Sequence, residues 1–112
     1  MAEVQLLGGV DIRELAARLD VTPTKKLGQN FVTDPNTIRR IVTAAKLTGA
    51  ETVVEIGPGL GSLTLGLLEV AKKVIAVEID PKMAAELEAT IAKRAPGTDF
   101  TLVRNDALKV TE

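Results

Sequence analysis

The chain has 112 residues, enough for one small domain, and 46% of them are hydrophobic while only 2% are aromatic, so the core must be aliphatic. The formal net charge is −1 and the chain contains neither Cys nor His, which excludes a disulfide framework, thiolate metal sites and an overall positive field for nucleic acid. We expect no metal site. The sequence shows no secretory signal and no apolar run that could span a bilayer, so we expect a cytoplasmic protein without membrane contact.

Two helices are predicted in the first half of the chain. The first covers residues 11–19, with Asp11 as its N-cap and apolar residues at helical spacing. A polar loop, KKLGQNF, follows at residues 25–31. The second helix is predicted to begin at Pro35, because proline suits the first helical position, and to stop at Gly49.

Strands and helices alternate in the second half of the chain. Residues 52–56 are β-branched and are predicted to form a strand that is buried on both faces, as parallel strands are. The other predicted elements are a helix over 62–70, a strand over 74–79, a helix from Pro81 to about Pro96 and a strand over 100–103. This alternation predicts an α/β fold with a parallel sheet of three strands and right-handed crossovers.

A sheet made of these three strands leaves one edge of its first strand without a partner. An open apolar edge invites association with other chains. We therefore expect the chain to be a piece of a longer protein, and its free edge to be paired with another chain or shielded.

The stretch VVEIGPGLGSLT, residues 53–64, joins a strand to a helix through a loop of three glycines. A dinucleotide fingerprint would place a third glycine where Ser62 stands, but spacing alone is weak evidence. Pro58 removes a backbone donor from the loop, and Glu55 sets a carboxylate before the first glycine. Both are poor choices beside a pyrophosphate. They suit a ligand with a cationic end, such as S-adenosylmethionine.

Two further carboxylates follow the next two strands. Glu78 ends the second strand and can accept hydrogen bonds from both hydroxyls of a ribose, which serves NAD and S-adenosylmethionine alike. Asp106 follows the third strand and could accept from an adenine amino group or serve as a turn or capping residue, since Asn-Asp is turn-forming. The carboxyl ends of parallel strands line one crevice, where open α/β sheets bind ligands.

Four motifs occur in a fixed order: GQNF at 28–31, EIGPGLGSLT at 55–64, VEID at 77–80 and NDAL at 105–108. In this order they resemble the N-terminal part of the small-subunit ribosomal RNA adenine dimethyltransferases. The resemblance implies the N-terminal half of a Rossmann-like S-adenosylmethionine-dependent methyltransferase fold. Residues 1–22 would be a helical extension, and residues 23–112 the first half of the methyltransferase domain.

The resemblance also implies the contacts with S-adenosylmethionine. The methionine end would meet a side chain and a stretch of backbone in the GQNF region and the glycine loop, the ribose would be held after the second strand, and the adenine amino group after the third. Asn30 and the backbone around Val32 would cover the methionine end, with Gly57, Glu55 and Gly59 beneath it. Glu78 would hold the ribose, and Asp106 the adenine amino group.

The implied activity is dimethylation of adenine N6 in small-subunit ribosomal RNA, with the immature small subunit as partner. The family's catalytic asparagine-proline-tyrosine stretch is not in these residues, and the chain has no Tyr. We therefore expect no catalytic residue here and no activity of this chain alone. Three alternatives stay open: a non-catalytic ribosome-assembly factor of the same fold, a large-subunit ribosomal RNA adenine methyltransferase, and a nicotinamide oxidoreductase.

Two basic pairs, Lys25–Lys26 and Arg39–Arg40, flank the GQNF loop. They could contact RNA phosphates at the mouth of the cofactor site, or they could be ordinary solvated charges.

Overall fold

The computed structural model describes residues 4–19 and 35–104. Seven elements are formed in these two ranges, and four of them are helices. In chain order they are α1 (Gly9–Arg18), α2 (Pro35–Ala44), β1 (Thr52–Ile56), α3 (Ser62–Val70), β2 (Lys73–Val77), α4 (Pro81–Arg94) and β3 (Phe100–Val103).

The three strands form one parallel sheet in the order β1-β2-β3. Ile56 lies opposite Val77, and Val77 lies opposite Val103, so the carboxyl ends of the strands are level. The sheet confirms the predicted α/β fold. Because α3 and α4 both connect a strand to its next neighbour in the same direction, right-handed crossovers set both helices on one face.

The burial predicted for the first strand is wrong for the described part of the chain. Val54 and Ile56 are 58% and 60% exposed, while the alternate residues Val53 and Glu55 are half-buried. The described helices cover one face of the sheet, so the side chains on the other face of β1 meet solvent. Among the described strands β1 pairs with β2 alone and therefore has the expected free edge. Pairing of that edge with another chain stays a prediction.

The prolines begin helices as predicted, whereas two other helix boundaries differ. α2 and α4 begin at Pro35 and Pro81. The N-cap of α1 is Gly8 and not Asp11, whose carboxylate accepts a hydrogen bond from the Gly8 N–H over 2.8 Å. α2 ends at Ala44, before the predicted stop at Gly49.

The turn between α2 and β1 is closed by a carboxylate. The Thr48 N–H donates to Glu51 Oε2 over 2.8 Å, and the Gly49 N–H donates to Oε1 over 3.0 Å. These hydrogen bonds, those from Thr48 foremost, lower the pKa of Glu51 to about 2. The turn fixes the point at which β1 begins.

The aliphatic core is one cluster to which α1 contributes together with the sheet and the other helices. Leu7 and Ile12 are each 1% exposed. Arg94, at the end of α4, is paired with Asp11 over 2.9 Å and donates to the Leu6 carbonyl over 3.1 Å. The N-terminal segment is therefore fixed to α4 by polar as well as apolar contacts, and the predicted boundary at residue 22 lies outside the described residues. No helix in the described ranges is long and apolar enough to cross a membrane.

Candidate cofactor-binding site

The level carboxyl ends of the strands bring Gly57 and Glu78 side by side. The Gly57 N–H donates to the Val77 carbonyl over 2.9 Å, and the Glu78 N–H donates to the Val103 carbonyl over 2.9 Å. Each bond continues the ladder one residue past the end of a strand. The first residues after β1 and β2 are thereby held at one edge of the sheet, which is the edge where open α/β sheets bind ligands.

The glycine loop has a backbone that other residues rarely adopt. Gly57, Gly59 and Gly61 have φ values of +67°, +63° and +100°, all in the left-handed region that favours glycine. The Gly61 N–H donates to the Pro58 carbonyl over 3.1 Å and closes the turn before α3. The three glycines are therefore required by the path of the chain from β1 into α3.

The first and third glycines of the loop have different surroundings. A Cβ added to Gly57 would meet no atom within 4 Å, whereas one added to Gly61 would lie 2.7 Å from Leu87 Cδ1 on α4. Gly61 thus permits the close approach of α3 to α4. Gly57 instead leaves open space beside Glu78, into which a ligand could come close to the backbone.

Glu55 lies under the start of α3. It is opposite Ala76 in the sheet, on the face that the helices cover, and it is half-buried. The Thr64 hydroxyl donates to Glu55 Oε1 over 2.5 Å. Burial raises the pKa of Glu55, and the hydrogen bond from Thr64 opposes that shift.

Glu78 is held by the turn that leads into α4. It is 6% exposed, and its Oε2 accepts a hydrogen bond from the Asp80 N–H over 3.1 Å. Asp80 is the N-cap of α4, and its Oδ1 accepts from the N–H groups of Lys82 and Met83 over 2.9 and 3.2 Å. The cap fixes the turn, and the turn orients the Glu78 carboxylate.

Four of the seven predicted site residues belong to the described part of the chain: Glu55, Gly57, Gly59 and Glu78. The other three, Asn30, Val32 and Asp106, lie outside it. Sequence reasoning missed Thr64. Its signal was a hydroxyl among the leucines of the apolar helix SLTLGLLEV, three residues beyond the last loop glycine.

The basic pairs are only half described. Lys25 and Lys26 lie outside the described residues. The Arg39 guanidinium is paired with Glu69 over 3.4 Å, and Arg40 is exposed on the same helix. A phosphate-contacting role for these residues stays a prediction.

The parallel sheet, the glycine loop and the buried acid after β2 define a Rossmann-like α/β protein, and solved structures of this shape include methyltransferases. The 23S rRNA methyltransferase ErmE matches 74% of this chain at 36% identity and a TM-score of 0.64, and the match covers 33% of that chain. A dimethyladenosine transferase from Plasmodium falciparum matches 70% of this chain at 35% identity and a TM-score of 0.61, covering 28% of its own.

Sequence comparison identifies the family. The profile described as "Ribosomal RNA adenine dimethylase" matches residues 22–111, so the chain belongs to that family, as its motifs predicted. The ribosomal RNA small subunit methyltransferase A of Corynebacterium efficiens is 69% identical over 110 residues, which make up 96% of this chain and 38% of that protein. The chain thus spans well under half the length of this relative.

Proposed function

We propose that this chain forms the cofactor-binding part of a methyltransferase that transfers methyl groups from S-adenosylmethionine to adenine N6 in small-subunit ribosomal RNA. The observation that carries the proposal is the juxtaposition of the open glycine loop at Gly57 with the buried carboxylate of Glu78 at the carboxyl edge of the sheet. Family membership supplies the reaction class.

The residues present fit S-adenosylmethionine, which when bound supplies a methyl group on a sulfonium. Glu78 would accept hydrogen bonds from the ribose hydroxyls, and Gly57 would let the ligand approach the backbone without a side chain between them. Glu55 offers a negative charge to the cationic methionine end. Asn30 and Val32 at the methionine end and Asp106 at the adenine remain proposed contacts. Because methyl transfer from a sulfonium depends chiefly on alignment, positioning is the role expected of these residues.

Small-subunit RNA is favoured over large-subunit RNA by the relative identities. The Corynebacterium protein, whose name specifies the small subunit, is 69% identical, whereas the 23S rRNA methyltransferase ErmE is 36% identical. We therefore propose small-subunit ribosomal RNA, in the immature subunit, as the partner of the full-length protein. Transfer of labelled methyl groups by that protein to under-methylated small-subunit RNA tests this, and transfer to large-subunit RNA alone would refute it. Binding of the subunit without any transfer would favour an assembly factor.

The cofactor itself can be tested with this chain by calorimetric titration of S-adenosylhomocysteine, the product form of the cofactor, with NADH as the competing ligand. Glu78→Gln should weaken binding of S-adenosylhomocysteine roughly ten- to hundredfold, because it removes a charged hydrogen-bond acceptor. The matched control is Glu88→Gln, which should leave the affinity unchanged, because Glu88 lies on α4 as an exposed partner of Arg104. Binding of NADH in preference to S-adenosylhomocysteine would contradict the proposal and favour an oxidoreductase.

A further inference from the structure

The Thr64 side chain makes a single hydrogen bond that spans the glycine loop. It is 0% exposed and lies in the first turn of α3, in a helix whose other buried side chains are apolar. Its hydroxyl donates to Glu55, nine residues earlier in the chain. A hydroxyl inside a helix commonly bonds a carbonyl of the preceding turn. Here its one proton goes to the strand on the other side of the loop, so the bond ties α3 to β1.

The Glu55 carboxylate has two oxygens, and Thr64 occupies one of them. Among the described residues no other hydrogen bond reaches this carboxylate, and none of their side-chain oxygens is both buried and without a partner. As far as the described residues extend, Oε2 is therefore open to a further hydrogen-bond donor. Because the bond to Oε1 restricts rotation of the carboxylate, it also restricts the direction in which Oε2 can accept.

We propose that Thr64 is a positioning residue for cofactor binding: its hydroxyl holds Oε1 of Glu55 so that Oε2 accepts a hydrogen bond from the ammonium group at the methionine end of S-adenosylmethionine. The inference rests on the proposed function, because it presumes that this ligand occupies the space above Gly57. A bond between ammonium and carboxylate is charge-assisted and depends strongly on direction. A carboxylate free to rotate would lose part of that bond.

The hydrogen bond from Thr64 also affects the ionisation of the half-buried Glu55 carboxylate. Burial favours the protonated form of this carboxylate, and the Thr64 hydrogen bond favours the ionised form. The hydroxyl thus supports both the orientation and the charge that an ammonium group would need.

Two ligands that differ at the methionine end separate this role from a general effect on the loop. S-adenosylhomocysteine carries the ammonium group, and 5′-methylthioadenosine lacks the whole amino-acid part but keeps the ribose and the adenine. In calorimetric titrations of this chain, Thr64→Val should weaken binding of S-adenosylhomocysteine about tenfold and that of 5′-methylthioadenosine less than about twofold. Thr64→Ser keeps the hydroxyl and should restore most of the affinity.

A second variant keeps the test decisive if Thr64→Val does not fold. Glu55→Gln retains an acceptor for the Thr64 hydroxyl but removes the charge, and it should show the same selective loss for S-adenosylhomocysteine. An equal loss for both ligands, or no loss for S-adenosylhomocysteine in either variant, would overturn the inference while leaving the proposed function intact. Failure of the wild-type chain to bind either ligand would overturn both.

Discussion

Gly66 is expected to be the least replaceable residue of the interface between α2 and α3. A Cβ added at this position would overlap Ile38 Cγ2 and lie 3.3 Å from Val42 Cγ2. Ile38 is 2% exposed and β-branched, so it has little room and few rotamers to avoid the new methyl group. The two helices would have to move apart, and such overpacking costs about 1–3 kcal/mol.

The substitution Gly66→Ala also brings a gain, because alanine is favoured over glycine inside a helix by about 1 kcal/mol. Taking the middle of the overpacking range, we expect the free energy of unfolding to fall by about 1 kcal/mol, and by up to about 2 kcal/mol if the helices cannot separate. That corresponds to a loss of about 4–8 °C in Tm for each kcal/mol in a domain of this size. Chemical and thermal unfolding of the chain, followed by circular dichroism, measure both quantities.

Gly9→Ala is the matched control for Gly66→Ala. Gly9 is also helical, but a Cβ there would lie 3.5 Å from Arg13 Nη1, the end of a flexible exposed side chain. This variant should be neutral or slightly more stable than the wild type. A double-mutant cycle with Ile38→Ala should show that the cost of Gly66→Ala disappears once the contacting side chain is removed. A Gly66→Ala protein as stable as Gly9→Ala would refute the packing argument.

Three further predictions concern backbone strain, an ion pair and acid stability. Gly57 and Gly97 have φ values of +67° and +80°, and a Cβ added at either position would meet open space. Replacing either glycine by alanine should lower the free energy of unfolding by about 1–2 kcal/mol. Gly57→Ala alone should also weaken binding of S-adenosylhomocysteine, measured by calorimetry. Arg94→Met should cost about 1–3 kcal/mol in urea unfolding, since the Arg94 side chain is only 17% exposed. Arg18→Met should cost under about 1 kcal/mol, because the paired Arg18 side chain is 62% exposed. Glu51, with its pKa lowered from 4.5 to about 2, contributes stability above pH 4.5 that is lost as the pH falls toward 2, so wild type and Glu51→Gln should converge in acid unfolding curves.

Each of these predictions has an outcome that would contradict it. Equal loss of ligand affinity in Gly57→Ala and Gly97→Ala would mean that strain acts through the whole fold and not at the site. Equal costs for Arg94→Met and Arg18→Met would mean that burial of the Arg94 pair is unimportant. Parallel acid unfolding curves for wild type and Glu51→Gln would show that Glu51 does not titrate with a lowered pKa.

Local sequence signals were sufficient for the order and type of the elements. Proline at a first helical position and runs of β-branched residues act within a few neighbours, so α4 and β3 could be predicted from short stretches. The end of α2 was missed because its signal, Gly49, belongs to the turn that Glu51 closes and not to a helix cap. The two-sided burial predicted for β1 failed because β-branched composition does not reveal how many faces of a sheet the chain can cover.

The division of roles among the glycines could not be predicted, because it depends on contacts between elements far apart in sequence. The sequence alone does not distinguish the roles of Gly57, Gly61 and Gly66. Gly61 faces Leu87 on α4 and Gly66 faces Ile38 on α2, whereas Gly57 faces open space. Only the last of these arrangements leaves room for a ligand. The contact between Thr64 and Glu55 could not be predicted for the same reason, because the path of the glycine loop brings α3 over the sheet and the two side chains together.

The environment of Glu55 favours a ligand-binding role for this carboxylate over a stabilising one. Burial raises its pKa above the value of the unfolded chain, so its contribution to stability is complete at low pH and is lost as the pH rises through the folded-state pKa. Burial therefore makes the ionised form of Glu55 more costly in the folded chain than in the unfolded chain, and the hydrogen bond from Thr64 opposes that cost. Glu51, by contrast, stabilises the fold above pH 4.5 through the turn before β1. A half-buried carboxylate whose ionised form is disfavoured by burial, beside an open glycine loop, is the arrangement expected where a cationic ligand supplies a partner.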